Sequence, residues 1–395
     1  MLLLKLGQSR TIKRTRLPGI MASSTATACS ASASTTKSCH RSYAACSQPP
    51  VVFVIGTTGT GKSELAIELA QKYNGEVINA DVIQMYRGLE IASAKVTKEE
   101  TRGIPHHMFS FLDPREEFSV RLFQTVAKDV IGQVHQREAL PIVVGGTMYY
   151  TQSLLRPSTL GDEEPERDNF ESSPVSVNTT TAGEVVLGGE PPEDQRTVTE
   201  VYEKLCEADP KMGEKLHPHD WRKISRSLEI YLRTGKPHSQ HIIEQQQKVK
   251  RASHEYNSCI LWVNCRTEVL DERLNKRIDK MIEKGLLNEI GHLHDGMKHE
   301  RPVGNSEQHL EPSESTKEAL GRIEHELAYK SSQPRSANAG LMQAIGYKEF
   351  IQYLDCKDSS DAQRLFHNSV DSLKTVTRQY SRQQIKWIRN RFIRR

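Results

Sequence analysis

The eight residues Gly56-Thr57-Thr58-Gly59-Thr60-Gly61-Lys62-Ser63 restrict what this chain can fold into more than any other feature. They satisfy G-x-x-x-x-G-K-[ST], a pattern that carries meaning only between a strand and a helix. Both neighbours are present. Residues 51–55 are a continuous β-branched and aromatic run, and residues 64–73 repeat Leu65, Ala66, Leu69 and Ala70 at helical spacing. In that setting the glycines let the backbone wrap phosphate oxygens, loop N–H groups and the helix N-terminus donate to the anion, and Lys62 neutralises charge. The Ser63 hydroxyl is the expected Mg²⁺ ligand. A di- or triphosphate is the expected ligand, and the loop alone leaves ATP, GTP and other pyrophosphate esters open.

Further along, residues 77–80 form an apolar run ending at Asp81, residues 120–134 are amphipathic, and residues 141–144 run into Gly145, Gly146 and Thr147. Strands alternating with helices predict an α/β fold, here a P-loop NTPase-like parallel sheet. The fourth strand, 259–264, comes only after a long helical and polar region, so the sheet is interrupted by an inserted helical domain. We assign 50–155 and 252–392 to the two parts of the catalytic core and 156–251 to the insertion. The Gly/Pro/Ser/Thr-rich acidic stretch 158–199 and the polar stretch 296–339, with a short helix inside it, are expected to be disordered loops whose removal spares the fold. A final helix over 361–391 places Leu373, Val376, Tyr380 and Trp387 on one stripe.

At 395 residues the chain has room for two domains, and no run of 18 apolar residues suggests a membrane span. The formal charge is only +4, yet 1–63 and 373–395 contain no acid. Residues 1–49 read as a disordered leader: Lys5, Arg10, Lys13, Arg14 and Arg16 precede a Ser/Thr/Ala-rich tract, the composition of a mitochondrial transit peptide. Initiation at Met21 would remove those cations and leave a cytosolic or nuclear form. Seven cysteines without C-x-x-C spacing, including Cys29, Cys39 and Cys46 in the leader, read as reduced thiols. His106/His107 and His217/His219 lack partners at zinc-ligand spacing.

Hydrolysing P-loop enzymes need an acid at the end of a core strand and a group orienting water. The strand 141–144 ends in Gly-Gly-Thr instead. Asp81 does follow a strand, where it can cap a helix or accept a proton from a nucleophile. Group transfer is favoured over hydrolysis.

These residues together carry a family resemblance. The loop 56–63, then Ile78-Asn79-Ala80-Asp81-Val82-Ile83-Gln84-Met85-Tyr86, Pro105-His106-His107 and Val144-Gly145-Gly146-Thr147-Met148-Tyr149-Tyr150 resemble the tRNA dimethylallyltransferases in order and spacing. So do His217-Pro218-His219-Asp220, Ser225-Arg226-Ser227-Leu228-Glu229, Arg273 and Arg277, Ala344-Ile345-Gly346-Tyr347, and residues 377–387 (TRQYSRQQIKW). The similarity spans 50–392 apart from the insertions. The phosphate loop is common to many enzymes, whereas the Asp81 and Gly-Gly-Thr segments together are specific to this family and its relatives.

The resemblance implies transfer of the allyl group of dimethylallyl diphosphate to N6 of the adenosine 3′ of the anticodon in tRNA, with release of pyrophosphate. Asp81 and Thr147 match the catalytic positions. Val82, Ile83, Gln84, Arg277 and the run Arg222, Lys223, Ile224, Ser225 and Arg226 match substrate-binding ones. Lys223 stands where arginine is common. Eukaryotic members often continue into a C2H2 zinc finger, and this sequence ends at Arg395 without one. The expected partners are dimethylallyl diphosphate, Mg²⁺ and the tRNA anticodon stem-loop, with no membrane and a monomeric chain. Arg222, Lys223, Arg226 and Arg233, and Lys374, Arg378, Arg382 and Lys386 at every fourth position, are candidate phosphate contacts. Competing readings are an adenylate isopentenyltransferase, which needs no tRNA surface, a small-molecule kinase, and a nucleotide-binding regulator, which needs no Asp81.

Overall fold

A computed structural model describes residues 2–6, 12–15, 48–116, 118–155, 176–181, 183–187, 191–251, 255–298, 310–323, 341, 344–357 and 360–393. Met21, Cys29, Cys39, Cys46 and the acidic part of 158–175 lie outside the described residues. Two compact units divide the chain, Met1–Leu155 with His254–Arg395, and Arg156–Ser253.

The strands of the first unit are β1 (Leu2–Leu6), β2 (Ile12–Thr15), β3 (Pro50–Gly56), β4 (Gly75–Asn79), β5 (His106–His107), β6 (Leu140–Gly145) and β9 (Asn257–Val263). They form one sheet in the order β2-β1-β9-β3-β6-β4-β5, parallel except for β2. The leader is therefore not wholly without structure, because Leu2–Leu6 pairs with β9. Without it, β9 would be an edge strand with unpaired N–H and C=O groups, a ready template for pairing.

Side chains alternate across the sheet. Phe53, Ile55, Ile78 and Val143 face a core shared with α3 (Val120–Gln136), while Val54, Val77, Ile142 and Val144 pack on Ala66 and Ala70 of α1 (Lys62–Tyr73). Burial on both faces accounts for the unbroken apolar runs in the sequence. The register pairs Ile55 with Gly145, Asn79 with Val144 and Gly56 with Val263. The segments that follow β3, β4 and β6 thus emerge at one level on the carboxyl edge. Gly145 permits this closeness: a Cβ there would lie 2.3 Å from the Ala80 carbonyl.

At the opposite end of β4, buried Glu76 accepts from Arg137 (2.7 and 3.0 Å) and lies 2.6 Å from His107 Nε2. Burial opposes its charge, but the His107 and Arg137 contacts hold its pKa down at about 2 against an ordinary 4.5. A depressed carboxylate contributes stability above its unfolded value and loses it as pH falls toward the folded one. Glu76→Gln is expected to cost roughly 2–3 kcal/mol at pH 7, with the gap to wild type closing between pH 4.5 and 2 in thermal melts. A pH-independent gap would remove this assignment.

Within the polar stretch 296–339 the expected short helix is present, and it is packed on the core, which a disordered loop would not be. Helix α10 (Leu286–Lys298) runs into it, and α11 (Glu314–Gly321) packs on α3. Ser313 Oγ lies 2.7 Å from His107 Nδ1, and fully buried Thr316 accepts from the Met108 N–H at 2.9 Å. Small hydroxyls satisfying buried backbone look like loop composition in a sequence. Removing 310–323 would orphan these partners.

In the second unit, β7 (Ser176–Thr179) and β8 (Gly183–Val186) form a hairpin. Helices α5 (Gln195–Ala208), α6 (Pro210–Lys215), α7 (Trp221–Thr234) and α8 (His238–Arg251) follow. Val198, Val201, Leu205, Trp221, Ile224 and Leu228 form their core, joined by Val185 and Leu187. The expected disorder of 158–199 accordingly fails for the described residues from Ser176 onward, since the hairpin contributes apolar residues to that core. Asp209 caps α6 through the Met212 N–H and also accepts from Ser239 N at 2.7 Å, tying two helix starts to one buried carboxylate.

Helix α12 (Ile351–Asp355) precedes the C-terminal α13 (Ala362–Ile388), which lies along α9 (Thr267–Glu283). Its buried residues are Ser369, Leu373, Ser381, Gln384 and Ile388. Three of the four cations in the stripe on α13 meet α9, while Lys386 is exposed. Lys374 pairs with Asp279 at 2.6 Å, Arg378 donates to Asn275 at 2.7 Å, and Arg382 pairs with Asp271 at 2.7 Å. Both helices present these groups at four-residue spacing, so the stripe is one side of a helix–helix seam. Such partly exposed pairs contribute about 0–1 kcal/mol each. The double variant Lys374→Glu, Arg382→Glu is expected to lower the melting temperature by several degrees and to be rescued by Asp279→Lys with Asp271→Lys; failure of the rescue would count against the seam.

Candidate active site

The glycine loop joins β3 to α1. Gly59 adopts φ +78°, and its missing side chain admits Leu274 of α9 to 2.9 Å from where a Cβ would stand. Buried Thr60 donates to the Thr57 carbonyl at 2.8 Å, and the Thr57 hydroxyl donates to Thr58 O at 3.2 Å. These hydroxyls shape the loop from within. Lys62 Nζ bonds to Thr57 O at 2.7 Å, while Ser63 is exposed in the first turn of α1.

After β4, Asn79 builds the turn that presents Asp81. Its Oδ1 accepts from Asp81 N at 2.8 Å, and its Nδ2 donates to Asp81 O and Met108 O. The two carboxylate oxygens of Asp81 face different partners. Oδ1 accepts from the Ile83 N–H at 3.3 Å, capping the short helix α2 (Val82–Met85). Oδ2 faces Gly146: a Cβ built there would lie 3.2 Å from Asp81 Oδ2, 2.9 Å from Gln384 Nε2 and 4.0 Å from Lys62 Nζ. Gly146 is thus the point on which a carboxylate, an ammonium and a carboxamide converge.

Electrostatics distinguish these groups. Burial pushes the Asp81 carboxyl up, opposed by the Lys62 charge, the Ile83 N–H, Arg277 and the Gly146 N–H. Burial also pulls Lys62 down to about 8, opposed by Asp81 and reinforced by Arg277. Arg277, carried by α9, is itself desolvated and attracted to Asp81. A carboxyl raised by desolvation holds its proton to higher pH than a surface aspartate, the condition that general-base chemistry near neutrality requires.

Thr147 precedes α4 (Met148–Leu155), and its hydroxyl accepts from Val82 N at 3.3 Å, linking the β6 and β4 ends. Val82 and Ile83 pack partly buried against the core. The Gln84 amide donates to Ser93 O at 3.1 Å, so this side chain braces the following loop. The structure thus gathers 56–63, Asp81, Val82, Ile83, Gln84, Thr147 and Arg277 in the first unit.

Arg222, Lys223, Ile224, Ser225 and Arg226 lie on α7 of the second unit. Only Arg222 and Lys223 are exposed; Ile224 and Ser225 are fully buried in that unit, which makes them packing residues there. Lys223 pairs with Asp220 at 2.5 Å, and Glu229 takes Arg226 at 2.7 Å and Arg233 at 3.1 Å. His217 and His219 stack loosely, rings 5.3 Å apart. Among the described residues no cluster of three or more His, Cys, Asp or Glu is arranged to hold a metal, and no helix is long and apolar enough to cross a membrane. Among the described residues, Cys206, Cys259, Cys265 and Cys356 form no disulfide.

Sequence reasoning gave no role to Asn79, Gln384 or Tyr380. Two of them had a signal: Asn79 sits two residues before Asp81, an Asx-turn spacing, and Gln384 is a polar residue on the buried face of an amphipathic helix. Tyr380 faces Asp81, whose charge adds to burial in raising its phenol.

The family model described as IPP transferase matches residues 84–391, and one described as Isopentenyl transferase matches 49–115. The chain is 34% identical over 355 residues to the tRNA dimethylallyltransferase of Mus musculus, covering 88% of this chain and 67% of the relative. It is 36% identical over 346 residues to the enzyme of that name from Schizosaccharomyces pombe (87% and 69%), and 34% over 340 residues to that of Caldanaerobacter subterraneus (86% and 88%). The chain belongs to the IPP transferase family. Among solved structures, this IPP transferase is similar to a eukaryotic dimethylallyltransferase captured acting on tRNA, with TM-score 0.62 and 31% identity over 86% of this chain and 70% of that one. It is also similar to the tRNA isopentenylpyrophosphate transferase of Bacillus halodurans, with TM-score 0.51 and 28% identity over 87% and 88%. The α/β core with its phosphate loop is thus the fold of the family.

Proposed function

We propose that this IPP transferase moves the dimethylallyl group of dimethylallyl diphosphate onto N6 of the adenosine immediately 3′ of the anticodon in tRNA. The observation that carries this reading is the convergence of Asp81, Lys62 and the Gly146 backbone beside the phosphate loop. The loop amides, Lys62 and Arg277 bind the diphosphate and stabilise the charge that grows as the allylic carbon–oxygen bond breaks. N6 forms the new bond to that carbon, and Asp81 takes the N6 proton, so the amine, conjugated with the purine, gains nucleophilicity as it reacts. Thr147 holds the base strand and the Gly-Gly-Thr strand together. The target base leaves its stack, which costs little in a single-stranded anticodon loop.

The exposed Ser63 hydroxyl, a hard oxygen donor next to Lys62, fits Mg²⁺; bound there, the ion supplies further neutralisation of the diphosphate. For the tRNA backbone we assign exposed Arg222 and Lys223 on α7 and exposed Lys386 and Arg389 at the end of α13. The basic leader supports mitochondrial import from Met1 and a cytosolic or nuclear pool from Met21, to be tested by fusing 1–49 and 21–49 to a reporter.

The deciding experiment supplies labelled dimethylallyl diphosphate with tRNA or with AMP. Label in the anticodon arm of tRNA is the expected result. Label in AMP alone, or phosphate release from ATP without transfer, would overturn the reading.

A further inference from the structure

Gln384 is a polar side chain placed where α13 otherwise buries small or apolar groups, and it is only 5% exposed. Its carboxamide is used on both sides. Oε1 accepts from the Thr58 N–H of the phosphate loop at 3.2 Å, and Nε2 donates to Gly146 O at 2.7 Å. The sequence separations are 326 and 238 residues, so these are purely tertiary contacts. Gly146 in turn donates its own N–H to Asp81, and the neighbouring Thr147 hydroxyl accepts from Val82 N. Tyr380, one turn earlier on α13, hydrogen-bonds to Gln384 and faces Asp81. A single planar amide therefore spans the element that holds the leaving group and the element that orients the base.

Resting on the function above, we propose that Gln384 is a positioning residue for the transfer, its carboxamide holding the phosphate loop and the Asp81–Gly146 pair in register. Two fixed hydrogen bonds on a rigid helix are well suited to this. The donor carbon and the proton acceptor must be placed together, and a displacement of about 1 Å can cost about 10²-fold in rate. Other candidates for the same task are weaker. Arg277 interacts with Asp81 and Lys62 through charge, which does not set orientation, and Thr147 touches only the base side.

The test is a double-mutant cycle on the full chain with single-turnover transfer to tRNA as readout. Gln384→Leu is expected to lower the rate at saturating substrates about 10–100-fold, with tRNA affinity within about threefold of wild type. In an Asp81→Asn background the same change should cost less than about threefold, because the geometry it protects no longer serves a base. A general folding defect would lower the rate by the same factor in both backgrounds. Gln384→Met, unbranched and of similar length, repeats the cycle should the leucine variant not fold. Equal losses in the two backgrounds, or a loss below threefold in the first, overturns the proposal while wild-type transfer stands. Absence of transfer by the wild type overturns both readings.

Discussion

Asp81→Asn is expected to lower kcat by about 10²–10⁴, the share of a positioned general base, with tRNA affinity kept within about threefold. Asparagine is the informative substitution because Asp81 has two tasks. Its Oδ1 caps α2 through the Ile83 N–H, and the asparagine carbonyl keeps that cap, whereas alanine would loosen the turn as well. The pH dependence follows from the direction of its shift. Desolvation raises the Asp81 pKa, and a base works only when deprotonated, so the wild-type rate should climb with pH through a value above that of an ordinary aspartate. The variant should lose that limb. Single-turnover rates across pH would check both statements, and a variant with wild-type rate and profile would eliminate Asp81 as the base.

Lys62→Met should cost about 10²–10³ in kcat, corresponding to about 3–4 kcal/mol for a lost donor to a developing anion. Lys62 is desolvated to a pKa of about 8 beside Arg277, so its charge is held in a medium where it acts strongly on a diphosphate. The loss should appear in the donor KM as well as in kcat and leave tRNA binding unaffected, since nothing ties Lys62 to a nucleic-acid surface. A variant that loses tRNA affinity but keeps donor use would reverse the assignment. Arginine is not expected to rescue: the bond to Thr57 O and the approach to Gly146 fit a compact ammonium.

The charge stripe of α13 shows where one-dimensional pattern misleads. Cations at every fourth position are compatible with an RNA backbone and with a partner helix alike. Asp271, Asn275 and Asp279 supply the partner helix for three of them, and they stand about a hundred residues away, with Arg378 and Asn275 separated by 103. Composition misled in the same manner at Ser313 and Thr316, where polar residues serve buried backbone, and at the hairpin 176–186, where few apolar residues suffice because a helix face meets them. Ile224 and Ser225 matched a substrate-binding run by position, yet their side chains are enclosed in the second unit's core.

What the amino-acid sequence determined by itself was local. A strand, a glycine loop and a helix within residues 50–73 commit the backbone to an anion cradle, and unbroken apolar runs commit β3, β4 and β6 to a buried parallel sheet. Those features depend on neighbours a few residues apart, which is why they could be read without coordinates. Only the tertiary structure decided that Asp81, Gly146, Arg277 and Gln384 meet, because their convergence follows from strand register and from the docking of α9 and α13. The desolvation that raises the Asp81 carboxyl comes from that same convergence, and no residue of the chain carries it alone.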